Sequence, residues 1–278
     1  MSVLIVDIGN TRIKWALWRD GRLGPMRAAA HDGWSPQDYA RQVLGKHRPS
    51  LGRVVVASVA SASTDRRFVA ATRRVAGRAP EFMATSRSTA GVTTRYTDPW
   101  RLGVDRFAGV IGAHQLLPQR AVCVLNAGTT VTVDLVDARG IHRGGAILPG
   151  PDLMMASLLN GTAGIARRAR EAGAPEGGSG ARTAGAADPF ARSTRSAIRQ
   201  GAFFAVAAAI DRIVTEAREA VGAEPVVLAA GGGLTRFERL LRSRYIRVND
   251  LVLRGIAAHA GLEVSTPAAL AKAVRARR

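Results

Sequence analysis

Apolar and polar residues alternate in short blocks along the chain. An apolar run over residues 3–6 stops at Asp7, Gly9 and Asn10, and the apolar pattern resumes over 13–18 before Asp20 and Gly21. That spacing predicts a strand, a tight glycine turn and a second strand. Ser35 ahead of Pro36 predicts a helix start, because serine caps free N–H groups and proline suits the first turn; the helix is expected to run to residue 44. Residues 54–59 read as a buried strand, and 65–75 as a helix capped by the Ser and Thr residues before it. Over 86–100 the periodicity gives way to Thr, Ser, Gly and Pro, which predicts a loop long enough to carry function.

A helix is expected over 104–117, stopped by Pro118, followed by strands at 121–125, 131–136 and 141–148. The stretch 166–188 is rich in Arg, Gly and Ala with few apolar anchors, and a mobile loop is expected there. Residues 194–221 carry the longest helical pattern, with Phe203, Val206, Ile210 and Ile213 on one face. A strand at 226–229 runs into Gly231, Gly232 and Gly233, and a further helix is expected after them. Strands alternating with helices predict α/β architecture, with a domain boundary near Pro118.

One segment returns in altered form. Asp7-Ile8-Gly9-Asn10-Thr11-Arg12-Ile13-Lys14 is echoed by Asn126-Ala127-Gly128-Thr129-Thr130-Val131-Thr132-Val133, glycine on glycine and hydroxyl-rich turn on hydroxyl-rich turn. Each copy reads as strand, Gly-containing turn, strand. Consecutive backbone N–H groups in such a turn make an anion-binding concavity, Lys14 adds a cation, and Asp7 can hold a divalent metal directly or through water. Taken singly, each copy is equally an ordinary hairpin. Two copies in register, with a third glycine cluster at 231–233 suited to backing an adenosine, favour nucleotide binding by a duplicated domain. Neither a Walker loop nor a dinucleotide fingerprint is present.

Composition narrows the class. With 47% hydrophobic and 22% charged residues among 278, the chain can bury an ordinary core. The single cysteine, Cys123, excludes an intramolecular disulfide and favours a reducing compartment. No run approaches the roughly 18 apolar residues of a membrane span, and the first apolar stretch stops at Asp7 without a basic leader or cleavage site. A cytoplasmic protein without a membrane partner is expected. The formal charge of +19 attracts anions, but its basic residues are scattered arginines apart from Lys14, Lys46 and Lys272. No helix-turn-helix, zinc finger or aromatic platform accompanies that charge, so no specific nucleic-acid partner is expected. His31, His47, His114, His142 and His259 lack metal-ligand spacing, and the four tryptophans read as packing residues.

At the two glycine turns the sequence resembles the acetate kinase, sugar kinase, Hsp70 and actin superfamily, and within it the type III pantothenate kinases, also called the Bvg accessory factor family. Residues 7–14 match that family's first phosphate motif. Tyr96 and Asp98-Pro99, then Gly103-Val104-Asp105-Arg106, match its substrate and catalytic segment. Asn126-Ala127-Gly128-Thr129 falls on the second phosphate motif, Gly144 to Ile147 with Pro149-Gly150 on a glycine motif at the dimer side, and Thr194 with Ala197, Ile198 and Gly201 on a later substrate-contacting helix start.

The resemblance implies a duplicated actin-like (ribonuclease H-like) α/β fold of two domains, 1–118 and 119–265, with mixed sheets, flanking helices and an interdomain cleft, followed by a basic tail at 266–278. It implies transfer of the γ-phosphoryl group of ATP to pantothenate with Mg2+, in a homodimer. Asp7, Gly9, Asn10, Thr11, Lys14, Gly128 and Thr129 would hold nucleotide and metal. Tyr96, Gly103, Val104, Asp105, Arg106 and Thr194 would hold pantothenate. Asp105, at a helix start that favours its ionised form, would be the base that orients the substrate hydroxyl. Read without the family, Asp105 is equally a candidate base and a helix N-terminal acid paired with an arginine, and Arg106 equally a holder of an anionic substrate and a surface ion-pair partner. Where the family often has an aspartate that helps bind K+ or NH4+, this chain has Asn126, which supplies no negative charge; Ser193 stands where the family commonly has Asn. The alternatives are a non-catalytic regulatory protein on the kinase fold, or a kinase for another small alcohol or carboxylate.

Overall fold

The computed structural model describes residues 2–45, 51–171 and 190–276. All seven residues of strand β1 (Ser2–Ile8) are buried, as a strand covered on both faces requires. It pairs antiparallel with β2 (Arg12–Arg19), placing Asp7 opposite Lys14, and parallel with β5 (Leu51–Ser58), placing Asp7 beside Ala57. Two short strands, β3 (Arg22–Leu23) and β4 (Arg27–Ala30), pair with β2, and β6 (Glu81–Phe82) pairs with β5. Leu4, Val6, Ile8, Ile13, Trp15, Val54 and Val56 fill one face of this sheet against Tyr39, Val43, Leu44 and Phe68. Each such side chain contributes about 1.5–3 kcal/mol by leaving water. Alternation along the strands puts Asp7 and Lys14 on the opposite face.

The helix expected from Ser35 begins as α1 (Pro36–Tyr39). Ser35 Oγ accepts from the Asp38 N–H while the Asp38 carboxylate accepts from the Ser35 N–H, a reciprocal cap. The chain continues as a π-helical turn over Ala40–Leu44. Helix α2 (Ala62–Ala76) starts earlier than expected because Ser61 is its cap, and it stops where Gly77 turns left-handed at φ 69°.

The expected loop at 86–100 contains regular structure. β7 (Ser88–Thr89) and β8 (Val92–Thr94) form a hairpin, and a 3-10 turn at Pro99–Arg101 leads into α3 (Val104–Leu116). Helix α7 (Leu251–His259), absent from the sequence expectations, packs on α3 at backbone distance. A Cβ on Gly255 would meet the Ala108 carbonyl oxygen at 1.7 Å, and one on Gly112 would meet the Leu251 oxygen at 2.3 Å. Glycine is the residue that permits this approach.

The second sheet is built on β9 (Val122–Ala127), β10 (Thr130–Val136) and β11 (Ile141–Pro149). Its order is β13-β12-β9-β10-β11-β8-β7, with β12 (Val226–Ala230) and β13 (Ile246–Arg247). Helices α4 (Pro151–Gly161), α5 (Ala163–Glu171) and α6 (Thr194–Val221) follow β11 in the chain. α5 occupies the start of the stretch where a mobile loop is expected; the remainder, to 188, lies outside the described residues. After Gly233 the chain makes two 3-10 turns, Leu234–Arg236 and Glu238–Leu240, instead of a helix. On α6, Phe203, Val206 and Ile210 are buried as expected, whereas Val214 takes the buried place expected of Ile213.

Internal contacts divide the chain into two compact units. The first comprises Met1–Val122, Asp134–Gly144 and Val248–Arg278; the second comprises Cys123–Val133 and Gly145–Arg247. This differs from a linear division at 118 and 265, because the hairpin turn of β10 and β11 and the C-terminal residues pack with the first unit. The basic tail contains a helix, α8 (Ala268–Arg275), that buries Leu270.

Candidate functional site

Asp7 is the penultimate residue of buried strand β1 and is only 5% exposed. Lys14 Nζ donates to its carboxylate at 3.2 Å. Burial pushes the Asp7 carboxyl above its usual range, Lys14 pulls it down, and the charge of Asp105 pushes it up again. Two carboxylates far apart in sequence thus act on one another, and Lys14 is bonded to the first of them.

Asp105 sits in the first turn of α3, where its Oδ1 accepts from the Arg106 N–H at 2.8 Å. A Cβ on Gly103 would come within 2.8 Å of that oxygen, so glycine at 103 leaves the carboxylate its place. Val104 opens the helix.

The turn between β1 and β2 is closed by the Gly9 N–H donating to the Arg12 carbonyl at 3.0 Å, and Asn10 and Thr11 at its tip are exposed. His31 lies 2.8 Å from the Gly9 carbonyl through Nε2 and 2.8 Å from the Tyr39 hydroxyl through Nδ1. Since a carbonyl only accepts, Nε2 carries the proton and Nδ1 accepts from Tyr39, a tautomer assigned from its partners. The glycine turn is thereby tied to the aromatic core of the first unit. Nothing in the spacing of His31 announces this role.

Arg106 is not the surface ion pair that the sequence leaves open, because it is 8% exposed. Its Nε and Nη2 donate to the two carboxylate oxygens of Asp134 at 3.0 and 2.6 Å, and Nη1 donates to the Tyr96 hydroxyl at 3.1 Å. Burial pulls the Arg106 pKa down, but the hydrogen bonds and charge of Asp134 outweigh it and hold the pKa above its ordinary value. Tyr96 in turn stacks on His142, 5.9 Å between ring centroids at 15°. Arg87 fixes the segment from outside, donating to the carbonyls of Thr94, Tyr96 and Thr97. Asp134, His142 and Arg87 escape sequence reasoning; a buried acid near the end of a strand was the available signal for Asp134.

In the second unit, three glycine segments close around residues 127–129. The Gly128 N–H donates to the Thr130 carbonyl at 2.9 Å, Gly150 to Thr129 at 3.1 Å and Gly233 to Ala127 at 3.0 Å. Added Cβ atoms would meet the Thr129 oxygen at 2.5 Å from Gly150 and the Ala127 oxygen at 2.1 Å from Gly231, which also has φ +97°. Asn126, half-buried, is the penultimate residue of β9 beside this turn, and Gly128 and Thr129 are exposed. Thr194 opens α6, behind the Ser193 cap that accepts from the Ser196 N–H. Cys123 is buried and its thiol is pushed up to about 12 by burial and by Glu224, which removes it as a nucleophile.

The type III pantothenate kinase family model matches residues 3–216. Among relatives of that name, the protein of Alkalilimnicola ehrlichii is 36% identical over 91% of this chain and 96% of its own length. That of Aromatoleum aromaticum is 37% identical over 92% and 96%. Two solved structures share the fold at low identity. The activator of 2-hydroxyisocaproyl-CoA dehydratase from Clostridium difficile, with bound ADPNP, superposes with a TM-score of 0.50 at 12% identity, covering 100% of this chain and 98% of that one. Component A of (R)-2-hydroxyglutaryl-CoA dehydratase from Acidaminococcus fermentans does so with 0.50 at 13%, covering 94% and 96%. Two mixed sheets flanked by helices are the actin-like fold anticipated from the glycine turns. With its family model matched over most of its length and relatives above 35% identity across nearly all of it, the chain belongs to the type III pantothenate kinase family.

Proposed function

We propose that the chain transfers the γ-phosphoryl group of ATP to the primary hydroxyl of pantothenate, and that Asp105 orients that hydroxyl. The observation that carries this reading is the part-buried Asp7–Lys14 ion pair beside the first glycine turn, with the charge of Asp105 acting on Asp7, in a chain of this family. Phosphoryl transfer is mostly positioning and charge neutralisation. Lys14 and the turn at Gly9, Asn10 and Thr11 would hold phosphate oxygens, with Gly128 and Thr129 as a second phosphate turn. The substrate oxygen attacks the γ-phosphorus as the bond to the β-phosphate oxygen breaks; ADP leaves, and the hydroxyl proton passes to Asp105 late in the step. Gly103, Val104, Arg106, Tyr96 and Thr194 would hold pantothenate. The Tyr96 hydroxyl accepts from Arg106, so its own proton is free for a carbonyl or carboxylate of the substrate.

Asp7 fits a divalent ion, because it is buried with one cation against the charges of two carboxylates. Among the described residues no group of three or more His, Cys, Asp or Glu could hold a metal. Magnesium would therefore draw its remaining ligands from phosphate and water, and there it neutralises phosphate charge. Asn126 marks the place of a monovalent cation, and as a neutral amide it would bind K+ or NH4+ weakly. α4 exposes Leu153, Leu158 and Leu159, and Ile147 of β11 is 61% exposed, which supports a homodimer that covers them. Among the described residues no helix is long and apolar enough to cross a membrane, and the buried thiol suits the cytoplasm. The test is pantothenate-dependent ADP release, assayed with and without K+ or NH4+. Release that requires pantothenate supports the reading; ATP turnover indifferent to pantothenate opposes it.

A further inference from the structure

Asp134 and His142 belong to a closed chain of hydrogen bonds in which every partner has one consistent role. His142 lies opposite Thr94 in the parallel pairing of β11 with β8. Its Nε2 is 2.9 Å from Asp134 Oδ1 and its Nδ1 is 3.1 Å from Thr94 Oγ1. An ionised carboxylate only accepts, so Nε2 carries the proton and Nδ1 accepts from the Thr94 hydroxyl. Thr94 Oγ1 meanwhile accepts from the Tyr96 N–H at 3.2 Å. Asp134 takes two further bonds from Arg106, and Arg106 returns to the Tyr96 hydroxyl. The ring of contacts thus runs from the backbone of Tyr96 through Thr94, His142, Asp134 and Arg106 to the side chain of Tyr96. Thr94, Asp134 and His142 are each 1% exposed or less. With the imidazole neutral, the group carries one positive and one negative charge, and the Asp134 carboxylate, both His142 nitrogens and the Thr94 hydroxyl all have partners, which is the condition under which a buried polar network becomes rigid instead of costly.

We propose that Asp134 and His142 are positioning residues for the substrate: through Arg106 and the stacked Tyr96 ring they fix the two side chains that would grip pantothenate, without touching it. This rests on the assignment of Tyr96 and Arg106 to the pantothenate site. Arg106 spends three of its five N–H groups on Asp134 and Tyr96, so its remaining two donors have fixed directions. His142 sets the plane of Tyr96 by stacking and the height of its backbone through Thr94.

The test compares His142→Phe, which keeps an aromatic face for Tyr96 but removes both hydrogen bonds, with His142→Gln, whose amide N–H can still reach Asp134. For His142→Phe we expect the KM for pantothenate to rise about tenfold, the KM for ATP to stay within about twofold, and His142→Gln to recover much of the loss. A purely structural role would lower the melting temperature and the active fraction but leave the pantothenate KM of folded enzyme unchanged; that result overturns the proposal. Asp134→Asn, which leaves Arg106 without its charge partner, should give a larger change in the same KM. A second readout needs no turnover. The chain has three tyrosines, so 3-fluorotyrosine labelling gives three fluorine resonances, the one from Tyr96 identified by its loss in Tyr96→Phe. That resonance should shift and broaden in His142→Phe and in Asp134→Asn; an unmoved resonance overturns the proposal even if wild-type protein proves inactive on pantothenate, whereas inactivity with a moved resonance overturns the substrate assignment alone.

Discussion

At the residue scale, the proposed mechanism divides the chemistry between Asp105 and Lys14. Asp105→Asn keeps the shape of the helix start and its acceptor oxygen but removes the charge proposed to orient the hydroxyl. We expect kcat to fall by roughly 10² to 10⁴, the usual range for a positioned acid or base, with ATP affinity retained. Lys14→Ala removes the cation that, among the described residues, is hydrogen-bonded to Asp7. A hydrogen bond to a charged group is worth about 1.5–3 kcal/mol, so the KM for ATP should rise by on the order of tenfold to a hundredfold, measured by initial rates at saturating pantothenate. Cys123 gives a check on burial itself. Because its thiol is pushed up to about 12, almost no thiolate exists at pH 8, and iodoacetamide should leave the native protein unmodified while alkylating it fully in guanidinium. Modification of native protein at the rate of a free thiol would show that the β9 strand opens readily.

At the scale of elements, the crossing of α3 and α7 positions Asp105 by holding its helix against the first sheet. Gly255→Ala forces a methyl group into the Ala108 carbonyl, and because both sides are backbone the helices must move apart. Overpacking of this kind costs about 1–3 kcal/mol, so the melting temperature should drop by several degrees, with kcat reduced along with it. Gly261→Ala, with open space around its Cβ but φ +76°, is a control that strains backbone without touching α3. The pattern of apolar positions made most of these elements legible: α6 spans the residues its periodicity predicts, and β1, turn, β2 follow from three glycine-turn residues between apolar runs. β7 and β8 were not legible, because Ser88, Thr89, Thr93 and Thr94 lack apolar alternation and the strands exist through pairing with each other and with β11. Asp7, Asp105 and Tyr96 could be singled out by type and motif. Asp134, His142 and His31 could not, since their roles depend on partners supplied by distant strands and helices, and a histidine that accepts one bond and donates another leaves no spacing in the sequence.

For the whole molecule, the exposed apolar residues of α4 predict the oligomeric state. Leu153, Leu158 and Leu159 on one helix, each more than a third exposed, are costly to leave in water. Sedimentation should give a dimer, and Leu158→Glu should shift it toward monomer by at least about tenfold in dissociation constant, since a buried unpaired carboxylate opposes association. A wild-type monomer at micromolar concentration would contradict that expectation. The central claim, that an acid at the start of α3 directs an alcohol onto the phosphate held beside Asp7 and Lys14, is tested most directly by quantifying ADP and phosphorylated pantothenate together, for wild-type and Asp105→Asn protein at matched ATP occupancy. The account predicts one phosphorylated pantothenate per ADP from the wild type and neither product at an appreciable rate from Asp105→Asn; an Asp105→Asn protein that forms phosphorylated pantothenate at the wild-type rate would contradict it.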